Sequence, residues 1–326
     1  MNLIGIDIGG TKCAVSLGLS LGDGEVKVLH RCPKRLTLKR GPEEILPELL
    51  EDVKICIAQS KSSPAAIGIS CGGPLDSKKG VVLLPPNLIG WDQVQIVAYF
   101  EKETGISTYL CNDANAGALA EWRMGAGKGC RNMIFMTFGT GLGAGLILNG
   151  QLYEGTSDSA GELGHLRLAD FGPVGYGKMG SFEGFCSGSG IAQMAKSCVI
   201  EKLQMGQSTA ICQNPEDLEH ITAEVVCKAA RAGDPLAKEI MDRCGRMLGV
   251  GLSIVMDILD PERIVIGSIF TRAQDLLWPE AQRVICREAL LQTQQACKVV
   301  PSKLNESVGD IAALTVADYY YGKAGE

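Results

Sequence analysis

Asp7 interrupts a short apolar run, residues 3–8, near its end, and the run is followed by Gly9-Gly10-Thr11-Lys12. Glycines placed after a strand let backbone N–H groups approach phosphate oxygens with no Cβ in the way, and a hydroxyl and an ammonium add donors. The same residues also fit a plain hairpin turn whose glycines supply positive φ. A second segment, Gly139-Thr140-Gly141-Leu142-Gly143-Ala144-Gly145, holds more glycine than a turn needs and tips both toward phosphate. It also spells GxGxxA, with Asp158 about where a ribose-binding acid would stand. A dinucleotide loop must open a helix, however, and this one runs into a β-like segment and the hairpin-type pair Asn149-Gly150. That reading is set aside, and GxxxxGK[ST] is absent.

Two carboxylates accompany the loops. Asp7 at the end of a buried strand is costly unless it meets a cation or several donors, and beside a phosphate loop Mg²⁺ is the natural partner; the alternative is an acid capping the turn. Asp113 stands where a strand becomes a helix. It reads either as an N-cap or as a carboxylate in the crevice at the carboxyl edge of an α/β sheet.

The elements that must hold these residues follow from periodicity. Strands are expected at 3–7, 13–19, 65–70, 107–111, 133–138 and 263–266, with helices at 42–60, 96–104, 114–122, 235–258, 274–290 and 308–320. The alternation indicates an α/β fold. Strand, glycine turn, strand occurs twice, at 4–19 and 134–148, which suggests a duplication with one phosphate loop per half and two lobes facing a cleft. Residues 158–190 are glycine-rich, polar and aperiodic, and are read as a functional loop.

The 326 residues suffice for two domains, and 46% hydrophobic with 21% charged residues is a globular composition. A net charge of −6 without a basic run argues against nucleic acid as a partner. Thirteen cysteines, an odd number with no CxxC pair, and no leader-like start point to reduced thiols in the cytoplasm. No apolar run approaches the ~18 residues of a spanning helix, so no membrane partner is expected.

Five motifs stand in order along the chain: Asp7-Ile8-Gly9-Gly10-Thr11-Lys12, Pro86-Asn87-Leu88-Ile89-Gly90-Trp91, Asn112-Asp113-Ala114-Asn115, Thr137-Phe138-Gly139-Thr140-Gly141-Leu142-Gly143 and Gly161-Glu162-Leu163-Gly164-His165. In type and order they resemble those of the ROK family of bacterial sugar kinases and repressors, whose fold is two-lobed and actin/hexokinase-like (ribonuclease H-like). The chain resembles that family over essentially its whole length. The resemblance implies a small lobe, 1–111, joined by a C-terminal helix at 306–322, and a large lobe, 112–305. It makes Asp113 the general base for a sugar 6-hydroxyl attacking the γ-phosphate of ATP. Gly9, Gly10, Thr11, Lys12, Thr137, Gly139, Thr140 and Gly141 would hold ATP phosphates, and Asp7 would position Mg²⁺. Gly267-Ser268 falls where the family has a glycine pair near the adenosine, the serine being a departure. Gly73, Asn87, Asn112, Glu162, His165 and Glu183 match sugar-binding positions.

The retained Glu162, His165 and Glu183 favour a glucose-type hexose, with an N-acylhexosamine or fructose as alternative acceptors and a homodimer as the expected assembly. A sugar-responsive repressor of the same family would need a helix-turn-helix ahead of Asp7, for which the sequence offers no room; a non-catalytic sensor would be expected to have degraded loops. Many relatives also carry a zinc motif, CxCGxxGCxE, used with the histidine at 165. Here Val174, Tyr176 and Ser181 occupy the cysteine positions, so no zinc site is expected, with the loop held by packing of Phe171, Val174, Tyr176 and Phe182 and His165 free for the sugar.

Overall fold

The computed structural model describes residues 1–304 and 308–325. In the first sheet, β1 (Asn2–Ile8), β2 (Lys12–Gly22), β3 (Glu25–Arg31), β4 (Arg35–Leu36), β5 (Ala66–Cys71) and β8 (Thr108–Asn112) run in the order β3-β2-β1-β5-β8, with β4 against β2. The short hairpin of β6 (Leu75–Asp76) and β7 (Val81–Val82) stands apart. β1 is antiparallel to β2 but parallel to β5, and β5 is parallel to β8. Helices α1 (Pro42–Gln59) and α2 (Ile96–Thr104) separate these strands and α3 (Asp113–Met124) follows β8, as the sequence periodicity predicts. α1 starts on Pro42, whose missing N–H costs nothing in a first turn, with Glu43 and Glu44 complementing the dipole there.

Alternation along β1 assigns its two faces. Ile4, Ile6 and Ile8 join Ile45, Leu49, Val53 and Phe100 in one core, while Leu3 packs with Leu314 and Ala317 of α10 (Val308–Ala324) on the other side. Asp7 shares the face of Leu3 and therefore points toward the start of α10. A Cβ added to Gly309 would lie 2.4 Å from its carboxylate. The expected helix 306–322 is this element, although residues 306 and 307 lie outside the described residues.

The second sheet repeats the plan. β9 (Met133–Phe138), β10 (Leu142–Leu148), β11 (Gln151–Tyr153), β14 (Arg263–Ile266) and β15 (Lys298–Pro301) run β11-β10-β9-β14-β15, with β9, β14 and β15 parallel. This order is that of the first sheet, strand for strand, as a duplication requires. Asn149 and Gly150 take φ of 53° and 76°, as a tight hairpin turn demands.

Residues 158–190 hold a 3₁₀ turn at Leu163–His165, a hairpin of β12 (Val174–Gly175) and β13 (Lys178–Met179), and α4 (Phe182–Phe185). α5 (Gly188–Gln204) and α6 (Ala223–Arg231), which periodicity did not reveal, precede α7 (Pro235–Leu259), α8 (Ile269–Glu288) and α9 (Leu291–Ala296). α7 is delimited by the Asp234 cap, Pro235 in its first turn and Asp260 in left-handed conformation after its last.

The chain divides into two compact units. One holds Met1–Arg131, Gly145–Ala160 and the described part of Lys303–Glu326; the other holds Asn132–Ala144 and Gly161–Ser302. The expected boundary at 111/112 therefore falls inside the first unit, which keeps α3. No described helix is long and apolar enough to cross a membrane.

Candidate active site

In the first unit, three parallel strands end in register. Ile8 of β1 pairs with Cys71 of β5, and Cys71 pairs with Asn112 of β8. Gly9-Gly10, Gly72-Gly73 and Asn112-Asp113 therefore emerge side by side at one carboxyl edge, where α/β sheets bind ligands. A Cβ on Gly73 would come within 3.1 Å of Asn112 Nδ2, and one on Gly72 within 4.0 Å of Asp113 Oδ2. Neither Gly9 nor Gly10 takes positive φ, so the plain-turn account of these glycines does not hold. Gly10 is needed for close approach, because a Cβ there would stand 2.6 Å from that of Asn87. Gly73, Asn87, Asn112 and Asp113 thus come together with the first glycine loop, whose Thr11 and Lys12 are exposed.

The cap of α3 is Asn112, not Asp113. Its Oδ1 accepts from Ala114 N at 3.0 Å and from Asn115 N at 3.4 Å. Asp113 occupies the first helical position, accepts from Ala114 N at 2.8 Å and keeps surface open to solvent. The atoms crowded around its carboxyl still desolvate it and push its pKa up, opposed by backbone N–H groups. Asp7 is pushed up to about 6, first by burial and then by the charges of Asp113 and Asp310, against the pull of Lys34 and a hydrogen bond from Ser70. A carboxylate so short of positive charge fits a divalent cation, and Mg²⁺ characteristically needs only one or two protein carboxylates beside substrate phosphates.

In the second unit, Ile266 of β14 pairs with Met136 of β9, which places Gly267-Ser268 beside Gly139. Gly139 and Gly141 also avoid positive φ. The loop is fastened from several sides. Thr137 Oγ1 accepts from Gly143 N at 2.9 Å, Glu183 Oε2 accepts from Leu142 N at 2.9 Å, and Gly188 N donates to Gly139 O at 2.7 Å. Ser189 Oγ donates to Thr140 O at 2.7 Å. The loop leads into β10 rather than a helix, and Asp158 is engaged elsewhere, accepting from Ser77 N at 2.7 Å, so no dinucleotide fingerprint exists. Ser268 takes φ of 55° without a side-chain cap to α8.

Glu162 immediately precedes the Leu163–His165 turn, and the exposed His165 ring meets the edge of Tyr176 at 6.3 Å between centroids. The loop beyond is not held as the sequence suggested. Phe182 is fully buried, but Phe171 is 82% and Tyr176 66% exposed, and Val174 is also exposed. Backbone hydrogen bonds do the work instead. Leu168 N and Ala169 N donate to Gly180 O, Gly180 N to Pro173 O and Phe182 N to Leu166 O. Lys178 Nζ ties down His165 O at 2.7 Å. Ser181, in place of a family cysteine, caps α4 by accepting from Gly184 N, and the buried Cys186 donates to Cys244 O. Among the described residues no three His, Cys, Asp or Glu side chains converge as a metal site.

Sequence reasoning missed two residues that shape the loops. Thr37, 2% exposed, donates from Oγ1 to Gly9 O at 2.6 Å and from N to Thr11 O at 3.0 Å. Ser189 does the corresponding work for Thr140. Neither carries a local signal, since each meets its loop only through the fold.

Residues 3–318 match the ROK family. A glucokinase of Thermotoga maritima is 29% identical over 317 residues, 97% of each chain. A ROK family glucokinase from Streptomyces griseus, solved with glucose and AMPPNP, superposes with a TM-score of 0.77 at 27% identity, covering 98% of this chain and all of that one. A ROK family transcriptional regulator, homologous to the Escherichia coli Mlc protein, superposes with a TM-score of 0.83 at 26% identity, over 98% of this chain and 78% of that one. With the family match extending over nearly the full length, the chain belongs to the ROK family.

Proposed function

We propose that the protein is an ATP-dependent kinase that phosphorylates the 6-hydroxyl of a glucose-type hexose. The observation that carries this reading is the pairing of Asn112 and Asp113. Because Asn112 caps α3, the Asp113 carboxylate is left accessible at the strand edge beside the first glycine loop. Phosphoryl transfer asks for positioning, charge neutralisation and one base, and each has a residue here. Asp113 accepts the proton of the attacking hydroxyl, and its raised pKa makes it a stronger base than an ordinary aspartate. Gly9, Gly10, Thr11 and Lys12, with Thr137, Gly139, Thr140 and Gly141, bind ATP phosphates. Mg²⁺, held through Asp7, supplies neutralisation of phosphate charge. Gly73, Asn87, Asn112, Glu162, His165 and Glu183 receive the sugar, and Gly267-Ser268 lies toward the adenosine.

Glucose as acceptor is supported by the likeness to glucokinases; an N-acetylhexosamine or fructose is the alternative. Similarity to a regulator raises a second reading, a sugar sensor, which Asp113 and two complete glycine loops disfavour. The same proposal takes the protein as a cytoplasmic homodimer, in keeping with its thirteen unbridged cysteines for the compartment and the family resemblance for the dimer. The test is a coupled assay of ATP turnover across a panel of hexoses with Mg²⁺. Turnover highest on glucose, yielding the 6-phosphate, is expected. Sugar binding without turnover on any hexose would overturn the kinase reading in favour of the sensor.

A further inference from the structure

Glu183 touches two functional segments of the second unit at once. Its Oε2 accepts from Leu142 N in the glycine loop, and a Cβ added to Gly141 would stand 2.7 Å from the same oxygen. A Cβ on Gly164, inside the turn that carries Glu162 and His165, would stand 3.3 Å from the Cβ of Glu183. Gly164 in turn lies so close to the loop that its own Cβ would meet Leu142 O at 2.2 Å. Glu183 itself is held by α4, whose first turn it occupies and whose cap is the buried Ser181. A carboxylate with one oxygen committed to Leu142 N has its other oxygen left for a sugar hydroxyl to donate to.

We propose that Glu183 is a positioning residue that couples the sugar to the nucleotide loop, so that a hexose hydroxyl held on Oε1 fixes Oε2 on Leu142 N and sets the Gly139–Leu142 backbone for ATP phosphates. The proposal rests on the kinase reading for its ligands but on the Leu142 contact for its substance. Peptide N–H groups aimed at phosphate lose binding energy when they must be ordered first, and a ligand that orders them beforehand removes that cost. Coupling of this kind is reciprocal, so sugar must tighten nucleotide by the same factor that nucleotide tightens sugar.

The experiment is calorimetric titration of AMP-PNP with Mg²⁺, with and without saturating glucose, on the wild type, Glu183→Gln and Glu183→Ala, beside KM for both substrates. For the wild type, glucose should lower the Kd of AMP-PNP at least about fivefold, within the usual range of allosteric coupling. Glu183→Ala should bring that factor to about 1 and raise KM for ATP as well as for glucose, because both contacts are lost. Glu183→Gln can still accept from Leu142 N through its amide oxygen while turning an N–H donor, its amide NH2, toward the sugar. It should raise KM for glucose yet keep AMP-PNP affinity without sugar within about twofold of wild type, which a general packing defect would not do. No coupling in the wild type, or unchanged AMP-PNP binding and coupling in Glu183→Ala, would overturn the proposal. Failure of the kinase reading shows differently, as absence of hexose turnover by the wild type. The sugar-free affinity of the two variants for AMP-PNP would then still decide whether Glu183 sets the loop.

Discussion

At the scale of single residues, the assignment of Asp113 depends on its neighbour. A strand-to-helix aspartate is most simply a cap, and only the bonds from Ala114 N and Asn115 N to Asn112 Oδ1 show that the cap is already filled. Asp113→Asn keeps size and hydrogen-bonding capacity but not basicity, so turnover should fall by ~10² to 10⁴ with sugar affinity retained. Steady-state kinetics and sugar titration check both halves; near-full turnover would return Asp113 to a structural role. Ser268 makes the opposite kind of statement, since it holds φ of 55° where glycine would be unstrained. Ser268→Gly should raise the unfolding free energy by about 1 kcal/mol, read from the denaturant midpoint. Its hydroxyl would lie 3.7 Å from a Cβ on Gly139, so any effect on activity should appear in KM for ATP rather than for sugar.

At the scale of elements, the instructive segment is 158–190. Its aromatic residues suggested a packed loop, yet Phe171 and Tyr176 face solvent while Phe182 and Phe185 are buried. The segment is held by a ladder of backbone bonds, with Gln193 of α5 clamping Val174 from both N and O at 3.1 and 2.9 Å. A loop closed by peptide hydrogen bonds needs no metal to fold. Protein purified without a histidine tag should carry far less than one zinc per chain by elemental analysis. A chelator should leave activity unchanged once Mg²⁺ is restored. Stoichiometric zinc, lost together with activity, would contradict this. α5 itself escaped the sequence reading because Gly188-Ser189-Gly190 looks like loop and its apolar stripe is weak. Its first turn is fixed instead by Ser187, which accepts from Gly190 N, and by contact with the glycine loop.

For the molecule as a whole, the site detracts from stability. The pKa of Asp7 is higher folded than unfolded, so its ionisation opposes folding; that penalty is present above pH ~6 and fades as pH falls from about 6 toward 3.8. At ~1.4 kcal/mol per unit, the shift sets a ceiling of about 3 kcal/mol. Without Mg²⁺ or nucleotide, Asp7→Asn should therefore melt higher than wild type at pH 7.5, and the gap should shrink toward pH 5, while activity is lost. Thermal melts across that range, with the wild type repeated in Mg²⁺ and ATP, measure it. A gap that is absent, or that widens on acidification, would show that Asp7 is compensated in the free protein.

The sequence by itself determined the elements with strong periodicity, the two glycine loops, their duplication and the residue types at the strand ends. These are local properties, carried by alternation, by helical spacing and by motifs within a few positions of one another. Only the tertiary structure decided what each residue does with its hydrogen bonds. Asn112 rather than Asp113 is the cap of α3, Thr37 reaches Gly9 across 28 positions, and Glu183 reaches Leu142 across 41. A side chain's chemistry is available to a ligand only when the fold has not already used it, and that is settled by which distant backbone groups packing brings within reach.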